Sequence, residues 1–267
     1  MRIDIKRHEN SAPQTIRNIA LLLRRALDDA CQQQYLFHNV CRTVALPKVP
    51  KAQSMCSFTI EQAKHFLTVV KGDPLEALYV LALTTGMRQG ELLALKWDDI
   101  DLTHGTIQVR HALSRIPRQG VILSEPKTPS SRRCIHLTTI ALEALKRHLF
   151  QQEQAKREAG TQWRNHQWVF CNGEGNLLDG ANLLRRSFRP LLSQAGLPAI
   201  RFHDLRHTTA SLLLALGTHP KIVQELLGHS HISMTLDIYS HVLPTLQENA
   251  MAHLNTLLTT QDLSLRS

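Results

Sequence analysis

Residues 226–241 read LLGHSHISMTLDIYSH, and residues 202–210 read FHDLRHTTA. Together they place His203, Arg206, His229 and Tyr239 at the ends of three short helix-like stretches. His203 and Arg206 are three positions apart and share one helix face. An anion at the start of that helix would also meet unpaired backbone amides. Gly228 closes the helix KIVQELL, so His229 is expected to be an exposed imidazole just past a helix C-terminus, favoured in its protonated form. Two imidazoles, a guanidinium and a phenol can surround a phosphate. A phenol is a poor nucleophile at its ordinary pKa of ~10, so it needs a nearby base and a cationic clamp.

Two upstream strings extend the set. In TTGMRQGELLALKWDDID (84–101) the Gly86 turn puts Arg88 between two helices, where its planar fork can hold two oxygens of one phosphate. Glu91 in the same string is placed to orient Arg88, or else simply to cap the helix. In SEPKTPSSRR (124–133) Lys127 falls on a predicted hairpin tip beside Pro126 and Pro129, from which its ammonium can protonate a leaving alkoxide. Arg132 and Arg133 read as contacts to neighbouring backbone phosphates or as solvated side chains. Each residue taken alone has a plainer reading: a surface arginine, a solvated turn lysine, a core histidine, a half-buried tyrosine. The order and separation of the strings carry the functional one.

The six residues Arg88, Lys127, His203, Arg206, His229 and Tyr239, in this order, resemble the tyrosine recombinase (phage integrase) family, over residues 58–245. The resemblance implies DNA transesterification without metal or cofactor. Tyr239 attacks a scissile phosphate, Arg88, Arg206 and His229 stabilise the charge, His203 takes the phenolic proton and Lys127 protonates the leaving oxygen. It also implies duplex DNA as partner and a homotetramer on two DNA sites. The C-terminal helix would dock in trans, and an accessory DNA-bending or directionality factor is possible. Such proteins usually carry a full helical core-binding domain, whereas residues 12–46 resemble only its last part. A site-specific recombinase truncated at its N-terminus is therefore expected. The alternatives are a catalytically impaired DNA-binding remnant, which would form no covalent DNA adduct, and a type IB topoisomerase-like enzyme, which would not join two defined sites.

Composition agrees with this reading. The 267 residues include 31 Lys and Arg against 22 Asp and Glu, a formal net charge of +9 that points to an anionic partner. Aromatics make up only 5%, which disfavours base stacking on single strands and favours contact with a duplex backbone. The five cysteines are odd in number, scattered and never in a CxxC pair, so neither a disulfide framework nor a zinc site is expected. His203, His207 and His229 lack a carboxylate at the spacing of zinc motifs. With no export signal or membrane span in the pattern, the expectation is a reduced, cytoplasmic, nucleoid-associated protein.

Along the chain the pattern is mostly α with a small antiparallel three-stranded sheet (α+β). Residues 13–37 are helical by period, and 44–57 read as a linker with two prolines. Further helices are expected from Phe58, from Asp73–Pro74, over Gln89–Leu95 and over 138–160. TIQVRHALS, GVILSE and RRCIHL are β-branched and separated by turns, and they read as the three strands. WVF at 168–170 is extended, and helices return over 181–195, 203–216, 220–227, about 232–240 and 244–258. The division expected is 1–50, a partial core-binding domain with linker, and 58–260, the catalytic domain.

Overall fold

The computed structural model describes residues 12–49, 57–116, 120–124, 132–239, 251–252, 254–256 and 258. Lys127 and residues 244–250 of the expected last helix lie outside these; residues 251, 252, 254–256 and 258 are helical. The chain divides into two compact units, residues 1–55 and 56–267.

In the first unit α1 (Pro13–Gln32) starts with proline at its first position and buries none of its residues. A short 3-10 turn, Val40–Thr43, returns against it. The turn is fastened by Asn39, which donates to the Arg24 carbonyl (2.8 Å) and to Asp28 (2.7 Å).

The second unit is built on helices. α2 (Ile60–Val69) begins in a capping box in which Thr59 and Gln62 satisfy each other's backbone amides. α3 (Glu76–Thr85) is apolar on nearly every face and runs through the core, as its sequence demands. Around it gather Phe66, Tyr79, Phe188 and Phe202, with ring centroids 5.2–6.5 Å apart in tilted or edge-on pairs. α3 stops at Gly86, whose φ of +62° suits a residue without a side chain. A Cβ there would stand 2.4 Å from Leu227 Cδ2. α4 (Gln89–Leu93) follows immediately and ends two residues earlier than its pattern suggested.

The β elements correct the sequence reading. One three-stranded antiparallel sheet exists, but its order is β1 (Ile100–Asp101), β2 (Thr106–Val109), β5 (Arg133–His136). β3 (Ala112–Ile116) and β4 (Gly120–Ser124) form a separate hairpin. TIQVRHALS is therefore two strands that part at Arg110–His111. Ile107, Val109 and Ile135 turn one face of the sheet into the core, while the hairpin docks on α4 at Gly90. A Cβ on Gly90 would lie 2.3 Å from the Leu113 carbonyl oxygen.

α5 (Thr139–Ala159) covers the core from outside, capped by the Thr138 hydroxyl. The expected helix 181–195 is continuous but irregular: α6 (Gly180–Leu183) passes through a π turn, Leu184–Phe188, into α7 (Arg189–Gln194). Pro190 offers no N–H to the carbonyl four residues back, which disrupts the regular ladder there. α8 (Phe202–Ala215), α9 (Pro220–Leu227) and α10 (Ser233–Tyr239) close the fold. Ala210, Leu214, Val223, Leu227 and Ile238 from these three helices make a second, smaller core.

Candidate active site

That small core positions the site. α9 ends in a Schellman turn: Gly228 N–H donates to the Glu225 carbonyl and His229 N–H to the Gln224 carbonyl, both at 3.1 Å. Gly228 takes φ +66°, and the Gln224 side chain holds the His229 carbonyl at 3.1 Å. The chain then turns into α10, where Thr235 and Ile238 are buried and Tyr239 is the last helical residue.

Arg88 sits at the N-cap of α4, as its turn predicted. Its Nη1 donates to Glu91 (2.7 Å) and its Nη2 to the Gly228 carbonyl (3.1 Å), so α4 and the Schellman turn share one guanidinium. Arg206, on α8, is only 2% exposed. Its Nη1 donates to the Gly86 carbonyl at 2.8 Å, while its Nη2 is buried without a hydrogen-bond partner among the described residues. Burial and the neighbouring Arg88 push its pKa down to about 9, so it remains charged at neutral pH.

His203 lies in the first turn of α8 as expected. Packing around its ring, then His207 and Arg206, lower its pKa to about 4, although the residue as a whole keeps substantial exposed surface. The His207 ring meets it edge-on at 5.0 Å, and His207 Nδ1 is a second buried atom without a hydrogen-bond partner among the described residues.

His229 differs from expectation. It is buried at 5% exposure, with Nδ1 2.9 Å from the Thr235 hydroxyl. Burial, then Arg206 and Arg88, drive its pKa to about 3. The ring is thus neutral near pH 7. The expected gain from a helix C-terminus is outweighed because the Schellman turn spends the end carbonyls on amides and two arginines stand close by.

Arg133 is the second correction. Its side chain is 6% exposed and turned inward, pairing with Glu91 at 2.8 Å and donating from Nε to the Leu226 carbonyl at 2.6 Å. It is therefore not a solvated side chain. Strand alternation carried the signal: Arg133 shares a face with buried Ile135. Glu91, 4% exposed, both caps α4 and joins Arg88 to Arg133. Its own burial raises its pKa, but Arg133, then the Arg88 backbone amide and charge, outweigh that and leave it lowered. Thr235, the hydroxyl partner of His229, carried no signal in the sequence beyond its place between the two motif residues.

Arg88, Glu91, His203, Arg206 and His229 therefore meet in one cluster. Tyr239 ends the helix packed beside it, Arg132 immediately precedes β5, and Lys127 is outside the described residues. Burial first, and the neighbouring guanidiniums second, lower the pKa values of His203, Arg206 and His229, and Glu91 is the one carboxylate paired with Arg88 among the described residues. Among the described residues no group of three or more His, Cys, Asp or Glu is disposed to hold a metal ion.

A mostly helical domain with small antiparallel sheets and this arrangement at the ends of α3, α8 and α9 is the tyrosine recombinase catalytic fold. The chain belongs to the phage integrase family, whose model matches residues 57–245. It is 34% identical over 277 residues to a tyrosine recombinase XerC-like protein of Caldanaerobacter subterraneus, covering 96% of this chain and 71% of the relative. To the ICEBs1 integrase of Bacillus subtilis it is 29% identical, covering 91% of this chain and 66% of that one. The chain thus spans about two thirds of the length of these curated relatives. Among solved structures, the Tn1549 transposon integrase in complex with circular intermediate DNA is 25% identical with a TM-score of 0.75, covering 92% of this chain and 81% of that one. XerA recombinase, at 21% identity and a TM-score of 0.59, covers 92% and 84% and shares the fold. No helix among the described residues is long and apolar enough to cross a membrane.

Proposed function

We propose that the protein is a site-specific recombinase that breaks and rejoins duplex DNA through a 3′-phosphotyrosyl intermediate. The observation that carries this is the buried, unpartnered Nη2 of Arg206, set among Arg88, His203 and His229. A buried donor left unpaired is costly, and an anion bound there removes the cost. In this reading Tyr239 attacks the scissile phosphate and releases the 5′-oxygen. His203, neutral at working pH, takes the phenolic proton, and Lys127 protonates the leaving oxygen. Arg88 and Arg206 hold the equatorial oxygens. His229 works as a neutral donor: with Nδ1 accepting from Thr235, the ring proton sits on Nε2 and points to phosphate. Glu91 orients Arg88. Because the bond energy is kept in the phosphotyrosyl link, a second 5′-hydroxyl can reverse the step and exchange strands.

DNA as partner is supported by the net charge of +9 and by the Tn1549 integrase, solved with DNA. We read residues 1–50 as part of a core-binding domain and 58–260 as the catalytic domain. We also propose assembly as a tetramer on two DNA sites, with the C-terminal helix docking in trans. Its described apolar residues Met251, Leu254 and Leu258 are exposed, and an apolar groove of about 380 Å3 between α2 and α8 offers a receiving surface.

The test is a nicked duplex substrate that traps the cleaved state. A denaturant-stable protein–DNA adduct is expected in excess EDTA. Duplex binding without any adduct would replace this reading with a catalytically impaired DNA-binding remnant, and cleavage that appears only with added Mg2+ would replace it with a metal-dependent nuclease.

A further inference from the structure

We propose that the cleft at the open end of the β2–β5 ladder is a second phosphate site, which holds a backbone phosphodiester of the DNA away from the reacting one. The proposal rests on the recombinase reading above. The ladder ends at the pair Val109 and Arg133. Beyond it the strands part, one continuing through Arg110 and His111 into the β3–β4 hairpin, the other arriving through Arg132. The parting leaves a cleft of about 420 Å3.

Arg110, His111, Arg132 and Arg133 all line this cleft, and among the described residues no carboxylate does. Glu91 answers the charge of Arg133. Arg110 is less well matched: its side chain is 55% exposed and its contact with Asp99 is a long 3.4 Å. His111 Nδ1 is buried and has no hydrogen-bond partner among the described residues. In the tautomer with its hydrogen on Nδ1, the ring donates to a phosphate oxygen, which removes the cost of leaving that atom unpaired. Basic side chains gathered on a concave surface focus their field on an anion.

A polymer fits better than a small anion because the cleft is tied to the reaction centre. Arg133 forms one wall, pairs with Glu91, and Glu91 pairs with Arg88. Two phosphate sites joined by a rigid chain of ion pairs suit a ligand with regularly spaced phosphates. Holding the second phosphate fixes the register of the first.

The experiment measures affinity for a short generic duplex against salt concentration, for the wild type, Arg110→Gln and, as a control, the exposed Arg157→Gln on α5. In Arg110→Gln the slope of log affinity on log salt shrinks by about one, while Arg157→Gln keeps the wild-type slope. An unchanged slope in a folded Arg110→Gln protein overturns the proposal. In parallel, inorganic phosphate is titrated while the His111 ring protons are followed by NMR, assigned with His111→Gln. If phosphate moves His111 yet the duplex slope is unaltered, the cleft takes small anions and the duplex assignment is wrong. Adduct formation by the wild type is scored separately, so failure of this site and failure of the recombinase reading are distinguishable.

Discussion

Glu91 stands between two guanidiniums, and neutralising it separates packing from charge. Glu91→Gln keeps the side-chain shape but removes a charge that the buried Arg133 and Arg88 share, which costs about 3 kcal/mol. Denaturant unfolding checks this, and a loss below about 1 kcal/mol would mean that Arg133 finds another partner. The depressed histidines give a second prediction. His203 and His229 titrate near their ordinary value when unfolded but at about 4 and about 3 when folded. The unfolded chain then binds more protons between those values and about 6.5, so the free protein loses stability as pH falls through that range. An anion in the pocket raises the folded values and offsets the loss. Inorganic phosphate should therefore raise the melting temperature more near pH 5 than near pH 8, and an equal rise at both would contradict a cationic pocket. At this scale the motif residues were legible by type and spacing. The state of His229 was not, because it depends on burial in the folded chain and on the charges of Arg206 and Arg88, distant in sequence.

Helix boundaries could be read where a local cause set them. Thr59, Thr138, Gly86 and Gly228 each end or begin a helix by chemistry carried within a few residues. The sheet was misread because the break at Arg110–His111 has no glycine or proline to mark it. What divides the strands is tertiary: β2 pairs with β5, while β3 is held by its hairpin partner and by α4. The Gly90 contact tests that view. Gly90→Ala puts a methyl group against a backbone carbonyl that no rotamer change can move, so the hairpin must shift. Amide exchange across residues 112–116 should speed up, while the second core, with Leu214 and Val223, keeps its protection. Uniform loss of protection would show instead that the hairpin is cooperative with the whole domain.

Across the whole molecule the sequence motifs are scattered over 152 positions, from Arg88 to Tyr239, and the fold brings Arg88, His203, Arg206 and His229 together at the meeting of α3, α4, α8 and α9. Charge and composition pointed to DNA before any geometry. The proposed assembly was legible only as an apolar stripe in the sequence over 244–258, of which Met251, Leu254 and Leu258 are described and exposed. Removing residues 244–267 should leave cleavage partly active but prevent complexes larger than one protomer per half-site by light scattering. Persisting tetramers would assign that helix to packing within its own protomer. The central claim is that Tyr239 is the nucleophile, and the adduct assay with Tyr239→Phe tests it most directly. On a duplex that the wild type cleaves, the variant should bind within a few-fold of wild-type affinity and form no denaturant-stable adduct, since only the attacking oxygen is gone. An adduct formed by the phenylalanine variant would contradict the account.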